Sequence, residues 1–239
     1  MFSLKEKTVL ITGAAGGIGG ATAGVCAGLG AGLVLADVQE PHDLARRLRE
    51  RGASVRTLAF DVRDRAAAEA AVAGIGRLDA VVANAGYCPW DDWHDPDWDE
   101  ACRRTLEVNA VGVINLARPA LDRMIAQGGG RIVLVSSVAG RMGGLRASPH
   151  YVMAKGGVNA LVKWLARRGA PHGVAVNAVA PGATRTGMVQ GQEFDVRQIP
   201  VGRLAEPEEI ALPIAFLCSD AASYICGATL DVNGGVYMN

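Results

Sequence analysis

The sequence predicts an α/β fold, a doubly wound parallel sheet with helices on both faces. Three observations predict it. Seven short runs are almost continuously apolar, the pattern of strands buried on both faces rather than half-wet ones. Ala-rich stretches of helical length alternate with them, as β-α-β units require. The first run also leads straight into a glycine-rich turn, and in such sheets ligands sit at the carboxyl ends of the strands. The 239 residues suit one domain, 1–239, with no repeat or low-complexity linker to divide it.

In chain order, the strand candidates are "TVLIT" (8–12), "GLVLAD" (32–37), "VRTLAFDV" (55–62), "DAVVANAG" (79–86), "RIVLVSS" (131–137), "VAVNAVAPG" (174–182) and "TLDVNGG" (229–235). Helices are expected over 17–29, 41–51, 64–74, 98–126, 150–169 and 206–218. The turn after the first strand, "TGAAGGIGG", spaces Thr12, Gly13, Gly17 and Gly19 as T-G-x-x-x-G-x-G. Glycine lets backbone approach a pyrophosphate whose charge sits at the next helix's N-terminus. Gly13, Ala15, Gly16, Gly17, Ile18 and Gly19 are therefore candidate cofactor contacts. Asp37 closes the second strand, where a carboxylate accepts hydrogen bonds from both hydroxyls of an adenosine ribose. It would repel a 2′-phosphate, and the loop holds no Arg or Lys to compensate, so NAD is favoured over NADP. Asp61 and Val62 end the third strand, and Asn84, Ala85 and Gly86 the fourth, where an extended nucleotide would meet them.

The composition excludes several classes. Twenty-four basic residues balance 24 acidic ones, without the basic excess of a nucleic-acid binder. No apolar run reaches membrane-spanning length, and only "MFSLKEK" precedes the first strand, so a cytoplasmic location is expected. Five cysteines without a C-x-x-C pair and four scattered histidines predict neither a disulfide framework nor a metal site.

With "TGAAGGIG", "DV" (61–62), "NAG" (84–86), "VNAVG" (108–112), "SSVAG" (136–140), "YVMAK" (151–155), "VNAVAPGATRT" (176–186) and "DVNGG" (231–235) in this order, the chain resembles a short-chain dehydrogenase/reductase over essentially its whole length. The resemblance implies a three-layer α/β/α Rossmann fold with a seven-stranded parallel sheet. It also implies nicotinamide-dependent oxidoreduction of a small-molecule alcohol/ketone pair, and a homotetramer or homodimer. By position, Tyr151 matches the family's catalytic acid/base, Lys155 its partner, Ser137 the residue that places the substrate oxygen, and Asn109 the helix-interior proton-relay asparagine. Pro181, Gly182, Thr184 and Thr186 match groups around the nicotinamide.

The residues give these roles a chemistry. Ser148 is a good helix N-cap and Pro149 suits N1, which puts Tyr151 in the first turn and Lys155 on the same face at i+4. A free tyrosine has a pKa of about 10. A neighbouring ammonium, an oxidised nicotinamide and the positive helix end would all favour the phenolate and lower it. Ser137 closes a strand beside this point, while Ser136 should face the opposite way. Asn109 and Gly112 are both poor helix-interior residues, which predicts a kink exposing a backbone carbonyl.

Two segments depart from the family pattern. Residues 87–104, "YCPWDDWHDPDWDEACRR", hold three of the four Trp, and six acidic residues lie between 91 and 100. They either wall a substrate pocket with Cys88 or Trp90, the carboxylates favouring a cationic substrate, or form a solvated loop whose acids cap the next helix. For the charges the second reading is preferred. "WLARRGA" (164–170) carries an Arg pair on a helix that packs between subunits in the family. Residues 187–198 leave a short substrate lid. An NADPH-dependent ketoreductase and a non-catalytic dinucleotide sensor are the rival functions.

Overall fold

The computed structural model describes residues 2–144 and 146–239. Seven strands, β1 (Thr8–Thr12), β2 (Gly32–Asp37), β3 (Val55–Ala59), β4 (Ala80–Ala83), β5 (Gly130–Val135), β6 (Val174–Pro181) and β7 (Thr229–Val232), form one sheet in the order β3-β2-β1-β4-β5-β6-β7. Every pairing is parallel. The chain runs outward from β1 to β3 and then returns to place β4 on the other side of β1. That reversal opens a crevice at the carboxyl ends of β1 and β4.

Side-chain alternation along the strands builds two cores. Leu10, Val34, Val81, Ile132 and Val176 face one layer, made by α3 (Arg65–Ala73), α5 (Gly112–Ala126) and α7 (Pro149–Gly169). Val9, Ile11, Leu33, Leu35, Val82, Val133 and Val179 face the other, made by α1 (Gly17–Gly28), α2 (His42–Glu50) and α8 (Pro207–Leu217). The near-continuous apolarity of the strands is thus the signature of a sheet covered on both sides. Local signals start two of these helices. The Asp64 carboxylate accepts from Ala67 N–H at 3.1 Å ahead of α3, and Glu206 and Glu209 form a reciprocal capping box on α8.

Five strands stop short of their expected carboxyl ends. Phe60–Val62, Asn84–Gly86, Ser136–Ser137, Gly182 and Asn233–Gly235 leave the ladder, and the first four of those tails carry predicted site residues. The helix expected over 98–126 is three pieces: α4 (Trp98–Leu106), a π-helical turn Glu107–Val111, and α5. The predicted kink is therefore a widened turn centred on Asn109, the kind of bulge that accumulates at functional sites. A short helix, α6 (Ala139–Met142), follows Ser137 and was not foreseen.

Candidate active site

The strand ends, the glycine-rich turn and the loops over them enclose a cavity of about 1060 Å³. At one end lie Gly13, Gly16, Gly17, Ile18, Asp37, Asp61, Val62 and Asn84–Gly86; at its middle Ser137, Tyr151 and Lys155; beside them Pro181, Gly182, Thr184 and Thr186. Of the predicted site residues, Ala15, Gly19 and Asn109 do not line it, and each supports it from behind.

Gly19 lies under the glycine-rich turn, where a Cβ would overlap the Gly13 carbonyl oxygen. No larger residue permits that approach of helix to turn. Asn84 fixes the same turn from β4, its amide donating to the carbonyls of Thr12 and Gly13 at 3.0 Å each. The Thr12 hydroxyl accepts from the backbone of Asn84 and Ala85 at 3.2 and 3.3 Å. The "NAG" segment thus holds the cradle in shape. Helix α1 starts at Gly17 with no side-chain cap, leaving its first N–H groups for an anion. Asp37 accepts from Ala15 N–H at 2.9 Å and Val38 N–H at 2.8 Å, which anchors the carboxylate at the cavity wall. This donor set fits a dinucleotide. Asp61 differs from expectation. Arg63 reaches it through Nη2 at 2.7 Å and Nε at 2.9 Å and holds its carboxyl below the usual range, so an adenine amino group would compete with an ion pair.

Tyr151 sits in the first turn of α7, as its spacing from Ser148 predicts, and its phenol faces the same cavity as the Ser137 hydroxyl. The Ser137 hydroxyl is oriented by accepting from Ala139 N–H at 3.1 Å. Ser136 faces away and donates to the Lys155 carbonyl at 3.0 Å. Lys155, 3 % exposed, donates from Nζ to the Val135 carbonyl at 2.9 Å and stands 5.7 Å from the centre of the Tyr151 ring. Asn109 is fully buried, its amide donating to the Tyr87 carbonyl at 2.7 Å and its oxygen accepting from Tyr87 N–H at 3.1 Å. Gly86 passes between Asn109 and Lys155; a Cβ there would lie 3.2 Å from Asn109 Oδ1 and 3.8 Å from Lys155 Nζ.

In the protein alone, burial dominates the electrostatics of this pair. It pushes the Tyr151 phenol up, and the Cys88 thiol adds to this while Ser137 opposes it. Burial also lowers Lys155 to about 8, with Cys88 acting in the opposite sense. The apolar surroundings of both groups disfavour their charged forms, and the helix end does not reverse that.

Ser148 occupies the predicted N-cap position of α7, yet its side chain makes no cap. The hydroxyl donates instead to Asp91, at the backbone carbonyl (3.1 Å) and the carboxylate. Asp91 also lies 3.3 Å from His150 Nε2, and His150 packs edge-on to Trp98 with ring centres 5.6 Å apart. The solvated-loop reading therefore fails for Asp91, whose side chain is buried against the start of α7, and holds for Asp92 and Asp95, which are exposed. Cys88 and Trp90 both line the cavity. Arg146 and Phe194, missed in the sequence, line it as well. Only the brevity of 187–198 hinted at the second, and nothing marked the first.

A family described as enoyl-(acyl carrier protein) reductase matches residues 13–237. The cis-4-hydroxycyclohexanecarboxylate dehydrogenase of Sinomonas cyclohexanicum is 44 % identical over 96 % of both chains. A short-chain type dehydrogenase/reductase from Mycobacterium marinum superposes with a TM-score of 0.94 at 30 % identity, covering 100 % of this chain and 98 % of that one. A protein from Beutenbergia cavernae described as a candidate NAD(P)-dependent gluconate 5-dehydrogenase, with NADP at low occupancy, gives a TM-score of 0.92 at 34 % identity over 98 % of both chains.

Proposed function

The chain belongs to the short-chain dehydrogenase/reductase family and is an NAD(P)-dependent oxidoreductase of CH–OH groups; from that premise we propose an NAD-preferring enzyme that interconverts a secondary alcohol and a ketone with Tyr151 as general acid/base. The observation that carries the proposal is the convergence of Tyr151, Ser137 and buried Lys155, one turn along α7, on a single cavity. All three sit in a cavity continuous with the glycine-rich turn and Asp37. A bound oxidised nicotinamide supplies the hydride acceptor and a positive charge. Ser137 then holds the carbinol oxygen while Tyr151 takes its proton. In the protein alone burial keeps the phenol protonated, so positive charge reaching the pocket is what favours the phenolate. Asn109 fixes the Tyr87 backbone, and Gly86 keeps the space between Asn109 and Lys155 open for a proton path.

Asp37 supports NAD, because a carboxylate held at the cavity wall by two backbone donors would repel a 2′-phosphate. The NADP in the Beutenbergia protein supports the second reading, an NADPH-dependent ketoreductase. Incubating the protein with a panel of secondary alcohols, among them 4-hydroxycyclohexanecarboxylate, and either cofactor tests both. NADH formation is expected; turnover with NADP alone would favour the second reading. Among the described residues no helix is long and apolar enough to cross a membrane, which supports a cytoplasmic enzyme. Exposed Ile114 on α5, and Met153 and Trp164 on α7, support pairing of copies as a homodimer or homotetramer.

A further inference from the structure

We propose that the far end of the cavity is a subsite for a ring-bearing alcohol that carries a carboxylate, with Trp90 and Phe194 together forming the wall against which the ring lies and Arg146 taking the anion. The inference rests on the dehydrogenase reading above and adds its substrate class. Four cationic side chains line the cavity: Arg63, Arg104, Arg146 and Lys155. Three are engaged. Arg63 pairs with Asp61 at 2.7 Å and with Glu107 at 3.6 Å. The Arg104 guanidinium lies over the Tyr87 ring at 4.3 Å. Lys155 is buried against Val135. Arg146 has no carboxylate within ion-pair distance among the described residues. Its guanidinium instead stands 5.8 Å from the centre of the Phe194 ring, at the aromatic wall.

That wall is held in place from several directions. Phe194 meets Trp90 edge-on, with ring centres 5.8 Å apart and planes at 81°. The Trp90 indole donates to the Met188 carbonyl at 2.8 Å, bridging the loop after β4 to the short lid. Trp90 also has φ +60, a left-handed conformation that costs a non-glycine residue about 1–2 kcal/mol. The next residue, Asp91, is buried against Ser148 and His150, so the turn is over-determined by packing, as strained functional positions are. Met142 and Met188 complete an apolar lining. A ring can lie against such a wall, and a planar guanidinium beside it pairs bidentately with a carboxylate. Glu193 and Asp195 also line this end. Asp195 is occupied by Arg197 at 2.8 Å, and Glu193 is exposed next to Phe194, so its charge competes with that of Arg146 and the test must separate them.

The probes are 4-hydroxycyclohexanecarboxylate, its methyl ester and 4-aminocyclohexanol, assayed with NAD and NADP. Wild type is expected to favour the acid over both others by about tenfold or more in kcat/KM, the scale of one charge-assisted pair. Arg146→Gln should remove that preference while ester turnover stays level, and Arg146→Lys should retain part of it. Glu193→Gln should leave the acid the best of the three. Equal use of acid and ester, preference for the amine, or a uniform loss on all three in Arg146→Gln would each overturn the subsite. If neutral alcohols of the wider panel are oxidised without acid preference, the subsite fails and the dehydrogenase reading stands. If no alcohol reduces either cofactor, both fail.

Discussion

The two ends of the cavity are made of different material. The cofactor end is backbone: Gly13, Gly17 and the close seat of Gly19, locked by Thr12 and the Asn84 amide. The substrate end is side chain: Trp90 on Met188 and Phe194, with Asp91 buried under Ser148 and His150. Backbone recognition restricts residue type at fixed spacings, because only glycine allows the approach. A side-chain wall imposes no such spacing, since its members come from segments far apart in the chain and many residue types fill the same space.

The largest expected effect lies at the junction of the two ends. Lys155 titrates at about 8 in the folded chain against 10.5 for an ordinary lysine. Between those values the unfolded chain holds a proton that the folded chain has released, so the contribution of this group to stability should rise with pH across that window. Its full rise is at most about 3 kcal/mol, at 1.36 kcal/mol for each unit of difference. Below the lower value the penalty is constant. The buried thiols of Cys26, Cys88 and Cys218 are pushed up and act in the opposite sense above about pH 9, so the reading is the difference between wild type and Lys155→Met. Denaturant midpoints from pH 7 to 10.5 should show that difference shift in favour of wild type as pH rises; a difference constant with pH would mean that Lys155 is not desolvated.

Gly19→Val tests the cofactor end alone. Its side chain must displace the Gly13 carbonyl and Asn84, and overpacking of about 1–3 kcal/mol should weaken NADH binding about 10–100-fold. Fluorescence titration reads this, and an affinity within threefold of wild type would remove the case for backbone complementarity. Asp91→Ala tests the other end. Removing the carboxylate leaves the Ser148 hydroxyl only the backbone carbonyl of residue 91 and takes away the group beside His150, with an expected loss of about 0.5–1.5 kcal/mol in stability and little change in NADH affinity. Asp91→Asn should recover part of it, because an amide oxygen still accepts from Ser148. The smallest effect is at Asp37. Asp37→Ala should narrow the preference for NAD over NADP by about tenfold, one hydrogen bond's worth to a charged acceptor.

Legibility followed the same division. The strands, their parallel pairing and the T-G-x-x-x-G-x-G turn were readable because burial on both faces and close backbone approach each leave a local pattern. Ser137 was separable from Ser136 by alternation alone. The seat of Asn109 was readable as a kink, because two poor helix residues sit close together, though its grip on Tyr87 was not. Ser148 misled in detail: its position marked the helix start, while its hydroxyl went to Asp91, a contact 57 residues away that local preference cannot encode. The upward push of burial on Tyr151 was not readable for a related reason. Spacing reveals which charge is near, but burial depends on how loops close over the site.

In the proposed reading, Tyr151 carries the chemistry on a cofactor platform built independently of it. The most direct measurement compares Tyr151→Phe with wild type in NADH affinity and in turnover of the best alcohol from the panel. NADH binding is expected within about threefold of wild type and turnover lower by about a thousandfold, the scale of a lost general acid/base. Turnover retained within tenfold, with NADH still bound, would contradict it.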